Sequence, residues 1–200
     1  MRRILLAGEG KTELGEWAKE REYRETPGER GVLEALLRRV GGDQISIVDG
    51  IVWTKIVKYR AGNHASPETR NVLGVALKAR ERRCDAVAFS RDRDEKTERQ
   101  LDIEEGIQRA VEVIPEVTIM GGVAVENIEG WVLVLLGVTE GERIPSKRTK
   151  AELEKRFGVV TLQQKVEAVD SAEIDSLPEG SVHSFVHRVR VAFATVGEMP

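Results

Sequence analysis

Only one cysteine, Cys84, occurs in the 200 residues. That excludes a disulfide scaffold and a cysteine-based zinc site, and it fits a reducing cytoplasm. Cys84 follows Arg82-Arg83 and opens an apparent strand, so it reads as a buried structural thiol rather than a nucleophile. Aromatic residues make up 4% of the chain, so aliphatic side chains must fill most of its core. No apolar run approaches the roughly 18 residues that a membrane-spanning helix needs. The first apolar run, Ile4–Ala7, stops at Gly8-Glu9 and is too short for the core of a signal peptide. An excess of charge is also missing. Thirty-one basic residues face 34 acidic ones, a formal net charge of −3. The surface as a whole is therefore no attractor for nucleic acid, and only a local basic patch could serve that purpose. Repeats and low-complexity linkers are absent, which leaves one domain, or one domain with a helical appendage.

What is present is an alternation of strand and helix patterns. Arg3–Ala7 is apolar without alternation, as in a strand buried on both faces. A charged helix is expected over Thr12–Arg24. A clean amphipathic helix follows, with Val32, Leu33, Leu36, Leu37 and Val40 at helical spacing, stopped by Gly41-Gly42. Ile45–Lys58 is rich in β-branched residues and reads as one long strand, or as a hairpin bent at Asp49-Gly50. Ser66-Pro67 starts a helix running to Arg83. Asp85–Ser90 is the next strand. Ile103–Ile114 is helical, and Val117–Met120 is a strand ended by Gly121-Gly122. Helices are expected at Ile128–Leu136, Ser146–Phe157, Leu162–Val169 and Val182–Val196. Such an order predicts an α/β sandwich with a mostly parallel central sheet over residues 1–140 and a helical extension over 141–200 that packs on the core.

In open parallel sheets, ligands bind beyond the carboxyl ends of the strands. Two of those ends are dense in acids here. The first strand ends at Gly8-Glu9-Gly10-Lys11-Thr12-Glu13. The third ends at Ser90-Arg91-Asp92-Arg93-Asp94-Glu95. With both strands central and parallel, Glu9, Asp92 and Asp94 converge at one rim. Asp92 and Asp94 face the same way if the stretch is extended. Convergent carboxylates repel unless a cation sits among them, and oxygen ligands of this kind select Mg²⁺ or Mn²⁺. Glu13, one helical turn beyond Glu9, can reach the same place. Read on charge alone, Arg91–Arg99 is a solvated helix start. The apolar strand before it is what gives these acids another meaning.

The pair of motifs resembles the Toprim fold of topoisomerases, primases and OLD-type nucleases, a Rossmann-like sandwich. That family carries a glutamate just after its first strand, here Glu9-Gly10, and an Asp-x-Asp after a later one, here Asp92-Arg93-Asp94. The OLD-like branch resembles the chain further, through Glu13 four residues on and Ser90 two before the Asp-x-Asp. Glu9-Gly10-Lys11-Thr12-Glu13 together with Glu126–Leu133 also resembles a family of small prokaryotic Toprim-like proteins encoded beside ATPases. The resemblance covers residues 1 to about 136. It implies Mg²⁺-dependent phosphodiester chemistry on nucleic acid, with Glu9, Glu13, Asp92 and Asp94 on the metal. Glu9, Asp92 and Asp94 would be the catalytic residues, with Gly10, Lys11, Ser90, Glu129 and Lys147 around them. It also implies an ATPase partner and a place in a prokaryotic defence system. Arg148 and Lys150 join Lys11 and Lys147 as candidate phosphate contacts. Topoisomerases need a nucleophilic tyrosine, and neither Tyr23 nor Tyr59 has a recognisable module around it. Primases bring zinc modules that this sequence lacks, so a nuclease remains.

Other readings compete. Gly10-Lys11-Thr12 invites a Walker A loop, but the first glycine of that motif would fall on Leu5, mid-strand. His183 and His187 share a helix face at zinc-binding spacing without a third ligand. His64 sits in a polar loop and could assist proton transfer. Glu126 and Glu129 are either helix-start acids or residues pointing back to the rim. A non-catalytic partner subunit or a regulatory metal- or nucleotide-binding module is the alternative to a nuclease. Its docking surface would be Gln100, Leu101, Ile103 and Ile107, or the stripe Phe185, Val189, Ala192, Phe193 and Val196.

Overall fold

Four apolar segments dictate the architecture: β1 (Arg2–Gly8), β2 (Ile45–Val52), β3 (Ala86–Asp92) and β4 (Thr118–Ala124). The computed structural model describes residues 1–25, 28–59, 65–94 and 96–194. The strands form one all-parallel sheet in the order β2-β1-β3-β4. Parallel neighbours need crossover connections, and helices supply them. These are the single turn α1 (Lys11–Leu14) with α2 (Val32–Gly41), α3 (Pro67–Glu81) and α4 (Thr97–Val113). After β4 come α5 (Ile128–Leu135), α6 (Ser146–Phe157), α7 (Leu162–Ser171) and α8 (Ser181–Ala194). The chain is thus an α/β sandwich of Rossmann-like form.

Strand alternation sorts the core into two layers. Ile4, Leu6, Ala86, Ala88, Met120 and Ala124 face α2, α5, α7 and α8. Leu5, Ala7, Val87, Phe89 and Ile119 face α3 and α4. Each layer contains one pair of tilted aromatic rings. Trp131 meets Phe185 on the first side and Trp53 meets Phe89 on the second, both at 5.2 Å between ring centroids. Of the two candidate docking surfaces, Phe185, Val189, Ala192 and Ile103 are buried in this core and Phe193 and Ile107 half-buried against it, while Gln100 and Leu101 are exposed. Val196 and His64 lie outside the described residues. No helix among the described residues is long and apolar enough to cross a membrane.

Several boundaries differ from the sequence reading, each for a packing reason. The charged helix expected over Thr12–Arg24 is only α1, followed by 3₁₀ turns at Gly15–Ala18 and Arg21–Tyr23. Gly15 takes φ 58°, and a Cβ there would stand 2.1 Å from the Glu29 carbonyl oxygen. That close approach lets the Glu16 N–H donate to the same carbonyl at 2.7 Å, so the backbone turns away. β2 passes straight through Asp49-Gly50 and ends at Val52, where a 3₁₀ turn begins; there is no hairpin. Its register slips once, with Ile4 opposite Ile47 and Leu5 opposite Asp49. The segment from Thr97 is already helical, six residues ahead of the expected start at Ile103.

Gly121-Gly122 does not end β4 but continues it. A Cβ on Gly121 would sit 2.2 Å from the Phe89 ring, and one on Gly122 2.9 Å from Phe185. The glycines are there to admit large rings on opposite faces of one strand. Gly121→Ala is expected to lower stability by about 1–3 kcal/mol through overpacking, read as a lower urea midpoint. Adding Phe89→Leu should return part of the loss. An unchanged midpoint in the single variant would mean that the ring moves aside freely.

Candidate functional site

The strand order reverses between β1 and β3. The chain steps from β1 to β2 on one side, then crosses back to β3 on the other. This switch point opens a crevice beyond the strand ends. Glu9 leaves β1 there and Asp92 closes β3 there. The Asp92 N–H donates to Glu9 Oε1 at 3.1 Å. An open cleft of about 460 Å³ lies at this point, lined by Glu9, Gly10, Lys11, Glu13, Asp92, Asp94 and Glu129, with Asn127, Ser146, Lys147 and Lys150.

Each acid is held by a different element. Glu9 pairs with Arg91, whose guanidinium also reaches Glu68 Oε1 at 3.1 Å and lies 5.9 Å over the Trp53 ring. Arg99 Nε meets the same Glu68 oxygen at 3.1 Å, and its Nη1 meets Asp94 Oδ2 at 2.8 Å. Glu68, at the start of α3, accepts from Trp53 Nε1 at 2.7 Å as well. A chain of alternating charges, Glu9–Arg91–Glu68–Arg99–Asp94, thus runs along the α3 side of the cleft. Asp94 adopts φ 50°, so the backbone beyond Asp92 is not extended and the same-face argument for the two aspartates does not apply.

On the other side of the cleft Asp92 and Glu13 have no cation partner among the described residues. Asp92 Oδ1 accepts from the Ile128 N–H at 3.1 Å, the first residue of α5. Glu13 Oε2 accepts from the Gly10 N–H at 3.0 Å. Glu129 is buried and meets Lys165 Nζ at 2.9 Å and Lys150 Nζ at 3.8 Å. Burial, then the charges of Glu9, Glu13, Asp94 and Glu129, push the Asp92 carboxyl up to about 8. Burial, with Glu129 and Glu9 beside it, raises Glu13 to about 6. Burial first, and the crowding of carboxylates second, thus favour the protonated form of Asp92.

The α5 start is capped by Asn127, whose Oδ1 accepts from the Gly130 N–H at 3.1 Å. The two glutamates beside it do other work. Glu126 Oε2 accepts from the Ser146 N–H at 3.3 Å, and Glu129 forms the ion pairs described above. Lys11 sits at the rim, paired with Glu29 at 2.8 Å. Lys147 is exposed beside the cleft, whereas Arg148 lies away from it, 3.7 Å from Glu152. Ser90 is fully buried, two residues before Asp92 on the same face of β3, and its hydroxyl has no partner among the described residues. His183 and His187 are exposed on α8. Glu68 and Lys165 escaped the sequence reading. The Ser66-Pro67-Glu68 helix start was legible, but nothing in the spacing linked it to Arg91 or Arg99.

Carboxylate oxygens are the donors that a hard divalent cation takes, while Asp92 and Glu13 are raised first by burial and only then by the neighbouring carboxylates. As the side chains stand, Glu9 is drawn to Arg91, Asp94 to Arg99 and Glu129 to Lys165. Among the described residues, no group of three or more His, Cys, Asp or Glu side chains is arranged to hold a metal ion. Comparisons with family models, with curated proteins and with solved structures returned no match.

A carboxyl whose folded-state pKa is raised destabilises the fold above that pKa and is neutral below its ordinary value. The penalty from Asp92 therefore grows from about pH 4 to about pH 8. Asp92→Asn is expected to stabilise the metal-free protein by roughly 1–3 kcal/mol at pH 8.5, with the gain vanishing toward pH 4. Thermal melts across that range give the answer. Equal gains at both ends would show that the benefit is not electrostatic.

Proposed function

We propose that the chain is a metal-dependent phosphodiesterase of the Toprim type, acting on nucleic acid with Mg²⁺ or Mn²⁺. The observation that carries this reading is the convergence of Glu9, Glu13, Asp92, Asp94 and Glu129 on one cleft at the switch point, with Lys147 and Lys150 at its lip. Asp92 and Glu13, with Glu9, are the residues that would hold the ion. A divalent ion bound there would activate water and offset charge on a phosphodiester. The chain's own groups divide the remaining tasks. Lys147 and Lys150 attract the phosphate backbone toward the acids. Arg91 and Arg99 keep Glu9 and Asp94 apart from one another. The Ile128 N–H fixes the Asp92 carboxyl at the α5 start, where the helix dipole favours its ionised form.

The resemblance of Glu9–Glu13 and Glu126–Leu133 to small Toprim-like proteins extends the reading to an ATPase partner and a defence role. The ion pairs that hold Glu9 and Asp94 favour a second reading, in which the chain is a non-catalytic subunit and the cleft a regulatory one.

The test is cleavage of single- and double-stranded DNA and RNA in Mg²⁺ or Mn²⁺, wild type beside Asp92→Asn. The nuclease reading expects Asp92→Asn to lose about two orders of magnitude or more in rate. It also expects Mg²⁺ to raise the melting temperature of the wild type but not of the variant. Absence of both cleavage and metal-induced stabilisation would move the assignment to the non-catalytic subunit.

A further inference from the structure

A second cleft, of about 700 Å³, lies beside β2. Its lining joins the Trp17 indole to four guanidinium groups, from Arg21, Arg24, Arg30 and Arg38, together with Glu16, Glu25 and Glu34. The inward acids are already satisfied by the protein. Glu34, buried in α2, accepts from Trp17 Nε1 and from Arg38 Nε, each at 2.8 Å. Glu16 is 2.8 Å from Lys19 Nζ and accepts from the Glu25 N–H at 2.9 Å. Behind them, the buried Asp49 carboxylate is shared by Arg24 and Arg82.

The cations are in excess. Arg21 is exposed, its side chain has no hydrogen bond or ion pair among the described residues, and its charge bears on both Arg24 and Arg82. After burial itself, the Arg21 charge is the next largest influence that lowers those two guanidiniums from their ordinary value. Two guanidiniums thus share one carboxylate, with the charge of a third, Arg21, bearing on both. Arg38 spends only its Nε on Glu34, and Arg30 only one Nη on Asp170 at 2.7 Å, so their remaining N–H groups are unspent among the described residues. Trp17 is fixed on one face by Arg24, 5.2 Å from its ring, and at its Nε1 by Glu34.

We propose that this cleft binds the phosphate of a nucleotide through Arg21 and the unspent N–H groups of Arg38 and Arg30, with the base beside Trp17. Guanidinium forks suit phosphate geometry, and the volume suits a ligand of that size. The site is separate from the carboxylate cleft and does not depend on its being a nuclease.

Trp17 is the natural reporter, because Trp53 and Trp131 are 2% and 0% exposed. The protein is titrated in EDTA with a nucleoside, inorganic phosphate, a nucleoside 5′-monophosphate and single-stranded oligonucleotides of increasing length. The expectation is quenching by the monophosphate, none by the nucleoside, and affinity about tenfold weaker or worse in Arg21→Glu. The Arg21 side chain has no partner to lose among the described residues, so that variant should fold normally. Lys147→Glu, at the other cleft, should bind the monophosphate like wild type. Affinity that rises with oligonucleotide length would assign the phosphate to a nucleic-acid backbone, and equal affinity to a free nucleotide. Binding that is indifferent to Arg21→Glu, or lost instead in Lys147→Glu, would overturn the proposal. So would the absence of binding by every phosphate-bearing probe.

Discussion

Parallel pairing of β1 with β3 is the constraint from which the candidate site follows. Four residue pairs in register, from Ile4 opposite Ala86 to Ala7 opposite Phe89, bring two chain segments 83 residues apart to the same edge. A carboxylate that would be unremarkable in solution is then forced beside others. The cost falls on Asp92 and Glu13, each held by a backbone amide and with no guanidinium or ammonium partner among the described residues. Arg91 and Arg99 balance the acids on one flank, and Lys165 with Lys150 balances Glu129 on the other. The middle of the cleft stays electron-rich.

Much of this was legible in the sequence. The apolar, non-alternating runs at Arg3–Ala7 and Ala86–Phe89 read as strands buried on both sides, and strands buried on both sides imply helices on both sides. From that, parallel strands and a shared rim for Glu9 and Asp92 follow by topology. The signals that misled were local ones. Asp49-Gly50 has turn chemistry, yet Asp49 is consumed by two arginines and Gly50 makes room for Trp17, 2.5 Å from where its Cβ would be. Gly121-Gly122 has the look of a stop, yet its purpose is clearance for rings brought from β3 and α8.

What the sequence could not carry is partnership across long separations. Nothing in the spacing of charged residues tells that Glu68 takes both Arg91 and Arg99, or that Lys165 reaches Glu129. The run Arg91–Arg99 looks uniform as text. In space it divides sharply: Arg99 is buried and donates to the Asp92 and Arg93 carbonyls, while Asp94 stands half-exposed at the rim. Charge density was visible, but the allocation of that charge depends on which strand lies beside which.

The Lys165–Glu129 pair ties the cleft to the last third of the chain. Both side chains are almost wholly shielded from water, and one belongs to α5 at the rim, the other to α7 far along the sequence. Electrically, the catalytic-looking edge of the sheet ends in α7 rather than at the close of the strand-and-helix repeat. A division of the molecule into a working core and a dispensable tail would cut through this pair. A shortened version lacking α7 would inherit a cleft one positive charge poorer, with Glu129 left to Lys150 alone. Any inheritance or exchange of this sheet as a module must carry its C-terminal helices with it.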